Sequence, residues 1–496
     1  MSDIKKLAGQ TAVYGVPTIV GRFLNYFLVP LYTYNIATQD YGMVSELYAY
    51  VAFLMILLTY GMETAFFRFS QDNDKDKVFN TAMLSLLCST SLFLIVTFVC
   101  LKPITAAMEY QGHPSYIVLF LLILAVDALK AIPYALLRRE NRPKRFALIK
   151  TTDIFSNIIF NLFFIALCPV LYRQKHAWIT SWFNPNDLVF YIFLSNLIAC
   201  VIAMVMLLPE YKKFRFDADL QLLKKMLSYG FPVMIGGLAG MVNETFDRIA
   251  LKHLVNVPED LTDQAQISQW KMSQIGIYGA CYKLSVVISL FIQAFKFAAE
   301  PFFFSKMKKD NAKQSYSSVM TAFVIFLCFV FLVVMGYIDI FKYFMGSQYR
   351  QGISVVPVLL MANIFLGIYY NLSIWYKVTD KTKWGAVISI IGAVITLAGN
   401  YLLVPVLSYT GAAVTTLVCY VSIAVICYCL GQKYYPVDYK VKRCLMYVFL
   451  SVALFGVMSA IRTLNAGTPV NIACSTLLIA LYAAVAFKFD IRKLLK

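Results

Sequence analysis

The sequence predicts an all-α polytopic membrane protein with fourteen transmembrane helices and two homologous halves. Three observations predict it. The 496 residues are 60% hydrophobic and only 14% charged, against about 25% charged in soluble domains. Apolar runs long enough to cross a bilayer, which takes about 20 residues, recur along the whole chain. Lysine and arginine gather in every second connection between those runs, as membrane topology requires. The formal net charge of +18 follows from that distribution and does not point to nucleic acid.

Taken in order, the expected spans are 11–33, 43–69, 79–101, 115–137, 146–171, 188–209, 226–251, 272–304, 317–340, 351–375, 384–407, 410–431, 443–461 and 469–487. The first contains Tyr14 to Tyr32, almost wholly apolar yet carrying Arg22, Asn25, Pro17 and Pro30. It is too long for a cleaved signal, lacks a small-residue cleavage site and is followed by many more spans. Its opening recurs: Tyr14-Gly15-Val16-Pro17 and Gly21 reappear as Tyr229-Gly230-Phe231-Pro232 and Gly236, a shift of 215. The next span recurs with a shift of 237, Tyr41-Gly42 as Tyr278-Gly279 and Glu63 with Phe66-Phe67 as Glu300 with Phe303-Phe304. The second half begins near Leu220.

With the N-terminus inside, cytoplasmic segments hold Lys5, Lys6, Lys75 and Lys77, then Arg138, Arg139, Arg142, Lys144 and Arg145. Further along come Lys212, Lys213, Arg215, Lys224, Lys225, the lysines of 306–313, those of 377–383, and Lys433 to Arg443 with the tail. The opposite side holds few, Lys252 among them. An even number of spans with both termini cytoplasmic follows. Loop 138–145, the most basic, is expected to serve topology and to meet anionic lipid heads. Connections are too short for a soluble catalytic domain. Eleven cysteines lie mostly in apolar runs and three histidines are scattered, so neither a metal site nor a disulfide framework is expected.

Polar residues inside spans are the candidate functional groups, because charges there are costly and face protein or water. Asp127 and Lys130 lie three apart, on one helix face. Asp153, Asn157 and Asn161 are spaced by four. Asn243, Glu244, Asp247 and Arg248 cluster in the seventh span, and Lys283, Gln293, Lys296 and Glu300 in the eighth. Arg22, Lys130, Lys283 and Lys296 suit phosphate oxygens in a low-dielectric cavity. Asp127, Asp153, Glu244 and Asp247 suit either pairing with those cations or binding a coupling ion or proton. Tyr26, Tyr48, Tyr282 and Trp375 are candidates for stacking on sugar faces or for filling helix contacts. Pro232 and Pro357 are expected to bend helices, and Gly236, Gly237 and Gly240 to let helices approach closely. No G-x-x-x-x-G-K-[ST] sequence occurs, so ATP hydrolysis is not expected.

The opening GQTAVYGVPTIVGRFLNYFLVPLYT, with QDYG and METAFFRFS after it, resembles the bacterial O-antigen and polysaccharide repeat-unit flippases of the multidrug/oligosaccharidyl-lipid/polysaccharide exporter superfamily. The resemblance implies two six-helix bundles related by a pseudo-twofold axis, 1–210 and 220–433, and two additional helices in 440–496. It implies an inner-membrane transporter without covalent chemistry, metal or cofactor. The cargo would be an undecaprenyl-diphosphate-linked oligosaccharide, carried from the cytoplasmic to the periplasmic leaflet by alternating access. Arg22 is the clearest positional match for a diphosphate-facing cation, with Asn25 beside it and Lys130, Lys283 and Lys296 chosen from helix reasoning. Coupling would be to protons, sodium or the membrane potential, and the partners membrane lipids, a polysaccharide polymerase and glycosyltransferases. Relatives that move a lipid-linked peptidoglycan precursor share the span number and form the leading alternative. Cation-coupled drug exporters, usually with twelve spans, come third.

Overall fold

A computed structural model describes residues 20–21, 23–306, 312–379, 381–464 and 467–492, except the side chains of 297, 298, 300–302, 304–306 and 491. Twelve helices among the described residues are long and apolar enough to cross a membrane. Residues 11–19 and Arg22 of the first expected span lie outside the described residues; its last part forms the helix Leu28–Asn35. The chain divides into two compact units, Met1–Gly276 and Ile277–Lys496. The division falls inside the 43-residue helix Gln264–Lys306.

In the first unit the connections on the basic side are fixed by side chains that meet orphan helix ends. Asp74 accepts from the N–H groups of Asp76 and Lys77 at 2.8 and 3.3 Å and starts Lys75–Val99. Asp219 does the same for Leu220–Leu254, accepting from Gln221 and Leu222 at 2.8 and 3.0 Å. Such caps satisfy donors that have no partner within the helix. Those backbone bonds hold both carboxyls below their usual range. Leu220–Leu254 then packs antiparallel on Thr38–Phe69 and joins the first unit.

That packing accounts for Gly230 of the second Tyr-Gly-x-Pro; the first copy, at 14–17, lies outside the described residues. Thr38–Thr59 ends at Tyr60 and Gly61, both with positive φ, and the chain resumes as Met62–Phe69. A Cβ on Gly61 would lie 2.5 Å from the Gly230 carbonyl, and one on Gly230 would lie 2.7 Å from that of Tyr60. Gly230 is therefore a contact between backbones, the means by which helices associate in lipid, where hydrophobic burial contributes little. Gly240 has open space around its Cβ direction and does not serve the close packing expected of it.

The most basic connection, expected to meet lipid heads, is partly paired within the protein. Arg138 pairs with Glu63, Arg142 with Glu140 at 3.1 Å, and Arg145 with the wholly buried Glu210 at 2.9 Å. Lys213 pairs with Glu140 at 2.6 Å. Arg138 and Arg139 also lie over the rings of Phe67 and Phe66 at 4.9 and 5.1 Å.

In the second unit, expected spans eleven and twelve run as one 52-residue helix, Lys383–Tyr434, broken at Ser408 (φ 50°, ψ −135°). The two arms fold back on each other. A Cβ on Gly399 would meet the Thr415 side chain at 2.7 Å, one on Gly411 the Leu403 carbonyl at 2.3 Å, and Cys419 Sγ lies 3.5 Å from the Gly392 carbonyl. These pairs step outward from residue 408, so the segment is a helical hairpin. Pro357 does not bend its span: it stands in the first turn of Val356–Leu372, where a missing N–H costs nothing. Pro232 does lie inside a helix. The last two helices, Val441–Thr463 and Thr468–Ala486, pack on Ala312–Gly336. Asp490 joins them, paired with Arg443 and accepting from Tyr447 at 2.9 Å.

Candidate functional site

Three of the acidic and basic residues singled out in the sequence come together. Lys130, on Pro114–Arg139, places its ammonium 2.7 Å from Asp127 and 3.5 Å from Asp153 of the neighbouring helix Pro143–Asn161. The Lys130 side chain is 3% exposed, Asp127 33% and Asp153 16%. The cation is thus the buried centre of the group and the acids face outward from it. Lys150 adds a second cation 3.9 Å from Asp153 and lies over the Tyr134 ring. On the other side Cys200 approaches Asp127 and Asn196 at 3.4 Å, and Asn196 donates to the Tyr48 hydroxyl at 2.7 Å. A continuous polar path therefore joins four helices, with two cations and two carboxylates at its centre. Asn161 extends the same helix stripe, accepting from Tyr32 at 2.9 Å.

A second group was not legible as a site. Glu46 and Lys252, 206 residues apart, form a wholly buried pair at 3.0 Å. The Lys252 ammonium also donates to the Met108 carbonyl at 2.5 Å, and Tyr110 donates to Glu46 at 2.8 Å. Burial, with the carboxylate beside it, pushes the Tyr110 phenol up, so it stays a donor. The sequence placed Lys252 in an outward loop; the structure corrects this, because Leu220–Leu254 continues past it and turns its side chain inward. The signal was the four-residue spacing Glu244, Arg248, Lys252.

The remaining predicted residues are dispersed. Asn25, Glu244 and Lys283 are exposed, and Arg22 lies outside the described residues. Asp247 is buried beside Arg248, 2.9 Å from its guanidinium, which also donates to the Glu244 carbonyl at 2.7 Å. Lys296 lies over the Tyr370 ring, 3.9 Å from its centroid. Lys283 and Lys296 stand thirteen residues apart on one helix, so roughly 20 Å separates them along its axis. Trp375, a candidate for sugar stacking, is buried against the Tyr434 ring at 5.7 Å and fills a helix contact. Among the described residues no group of three or more His, Cys, Asp and Glu side chains is gathered to hold a metal ion.

This arrangement can hold charge in the membrane without covalent chemistry. The comparisons with known proteins agree in kind. The family described as "Polysaccharide biosynthesis protein" matches residues 7–308. A curated relative, "Lsg locus putative protein 1" of Haemophilus influenzae, is 21% identical over 385 residues, 75% of this chain and 84% of its own. A solved structure titled "Lipid II flippase MurJ, inward closed conformation" has a TM-score of 0.70 at 14% identity, covering 97% of this chain and 99% of that one. An outward-facing multidrug resistance MATE family transporter of the MOP superfamily has a TM-score of 0.57 at 14% identity, covering 86% and 95%. At these identities the solved structures establish a shared fold.

Proposed function

Because the chain belongs to the polysaccharide biosynthesis protein family, within a superfamily of polytopic membrane transporters and flippases, we propose that it carries a lipid-linked sugar across the inner membrane by alternating access. One observation carries this reading: a chain of a polysaccharide family shares its fold end to end with a lipid II flippase. Of the two lipid-linked cargoes, a peptidoglycan-type precursor has the better support, since the likeness to a lipid II flippase covers 97% of the chain. The second reading, an undecaprenyl-diphosphate-linked oligosaccharide repeat unit, is favoured by the family description.

In this reading both termini are cytoplasmic and the chain crosses fourteen times, in bundles 1–210 and 220–433 with 440–496 added. Arg22, Asn25, Lys283 and Lys296 face the cargo. Exposed Asn25, Glu244 and Lys283 within spans support a water-lined passage, because lipid would not tolerate them. Lys130 is the tie between two helices and meets a cargo phosphate only when Asp127 and Asp153 release it. With Glu244 and Asp247 these acids are the groups through which protons, sodium or the membrane potential would be coupled. A polymerase and glycosyltransferases would act beside it.

Expression in a strain depleted of its own lipid II flippase tests the cargo. Restored growth, with loss of the accumulated precursor, is expected. Normal growth but missing surface glycan on deletion of the gene in its own host, with a cytoplasmic-leaflet oligosaccharide intermediate, would favour the second reading. Failure to restore growth of the depleted strain, together with no accumulation of a lipid-linked sugar on deletion in its own host, would overturn both.

A further inference from the structure

The connection between Pro143–Arg173 and Leu188–Met206 lies on the side that charge alternation makes outward, yet it carries unpaired positive charge. Elsewhere on that side Lys252 pairs with Glu46, Lys342 and Arg462 pair with Asp339 at 3.0 and 3.4 Å, and Arg350 donates to the carbonyls of Lys342 and Met345. Arg173 and Lys175 are exposed, and neither side chain has a hydrogen-bond or ion-pair partner among the described residues. The one carboxylate within 172–187, Asp187, accepts from the Tyr116 hydroxyl. Beside the two cations stand two indoles, Trp178 and Trp182, 55% and 45% exposed.

The segment is held in place by its own contacts. Lys175, with φ 59°, reverses the chain, and the His176 N–H closes the helix end on the Leu171 carbonyl at 3.2 Å. Ile179 and Phe183 are buried, Phe183 stacked on Tyr191 at 4.8 Å. The Trp182 carbonyl accepts from the Tyr191 hydroxyl at 3.3 Å, and the Trp182 ring meets Phe164 edge-on at 6.1 Å. Phe164 also stacks on Tyr191 at 5.2 Å, and that stack sets the depth. Leu188–Met206 has 19 residues, about 28 Å of helix against about 30 Å of hydrocarbon. Its start, and Trp182 with it, therefore lies at the hydrocarbon boundary. Arg173 stands roughly 13 Å further out than Phe164 along their helix. Helix side chains lean toward the N-terminus, here back toward the lipid headgroups.

Indoles near the boundary, cations just beyond it and no unpartnered carboxylate match a layer of apolar chains topped by phosphate. We propose that 172–182 is an interfacial anchor that binds anionic phospholipid in the leaflet where Pro143–Arg173 ends. Trp178 and Trp182 lie against the glycerol and upper chain carbons, and Arg173 and Lys175 meet the phosphates. A soluble partner would not need an indole at hydrocarbon depth. The anchor does not depend on which cargo is carried.

The test is tryptophan quenching in nanodiscs of the full chain. Phosphatidylcholine is the host lipid, and phosphatidylglycerol or phosphatidylcholine brominated near the headgroup end of its chains is the quencher. The signal of Trp178 and Trp182 is the difference between wild type and Trp178→Phe/Trp182→Phe, which subtracts Trp270, Trp375 and Trp384. Trp178→Phe alone, at the more exposed position, supplies the difference if the double variant does not fold. Brominated phosphatidylglycerol should quench that signal at a mole fraction roughly fivefold lower than brominated phosphatidylcholine, since a basic residue at the surface enriches anionic lipid. Arg173→Gln/Lys175→Asn, with an asparagine that tolerates the left-handed backbone at 175, should remove the difference while eluting as the wild type does. Equal quenching by the two lipids in the wild type, or a preference that persists in the folded Arg173→Gln/Lys175→Asn variant, overturns the proposal. Quenching by neither lipid, with ready quenching by aqueous acrylamide, places the segment in water and overturns it as well.

Discussion

Lys252→Met is expected to destabilise the protein by roughly 3–5 kcal/mol, the cost of breaking a buried ion pair by removing one partner. The variant leaves the Glu46 carboxylate wholly buried with Tyr110 as its remaining donor, and it strands the Met108 carbonyl that Lys252 now meets. Three elements come loose together: Thr38–Thr59, Leu220–Leu254 and the 108–113 connection. Glu46→Gln should cost less, because an amide still accepts from Lys252. Lys252→Met with Glu46→Gln should recover much of the loss, giving a favourable coupling in the double-mutant cycle. Thermal unfolding followed by size exclusion in detergent reads these differences. A loss below about 1 kcal/mol for Lys252→Met, the range of exposed pairs, would mean that water reaches the pair.

Lys130→Met is expected to have the next largest effect. It leaves Asp127 and Asp153 facing each other's field without the cation between them. The loss should be smaller than at Lys252, about 2–3 kcal/mol, because Asp127 is a third exposed and partly screened. Neutralising all three, Lys130→Met with Asp127→Asn and Asp153→Asn, should restore much of the stability. If Lys130 acts only as a tie, transport returns with the fold. A stable triple variant that still fails to transport would place Lys130 or its acids in the transport cycle itself. Transport measured against yield of folded protein distinguishes the two.

Spans and helix faces were largely legible because apolar length and local periodicity report them directly. The pairing of Asp127 with Lys130 could be read from a three-residue spacing, and Asp153 from its stripe with Asn157 and Asn161. Partners distant in sequence were not legible. Nothing near Glu46 points to Lys252, and the span end placed near 251 misassigned Lys252 because the helix runs a turn beyond the apolar run. The ion pairs of loop 138–145 were not legible for the same reason. Its neutralising acids, Glu63 and Glu210, lie far away in sequence. The hairpin at Ser408 was legible as two apolar arms, 384–407 and 410–431, with the break between them where the helix is interrupted.

Transfer of a lipid-linked sugar between leaflets of a proteoliposome is the most direct test of the proposed function. Purified protein is reconstituted with a fluorescent polyprenyl-diphosphate sugar, and a membrane-impermeant quencher reports how much reaches the outer leaflet. Protein-dependent transfer well above that of protein-free vesicles is predicted, faster for a peptidoglycan-type precursor than for a repeat-unit oligosaccharide. Transfer no greater than in empty vesicles for both cargoes, from protein that elutes as a folded species, would contradict a flippase for lipid-linked sugar.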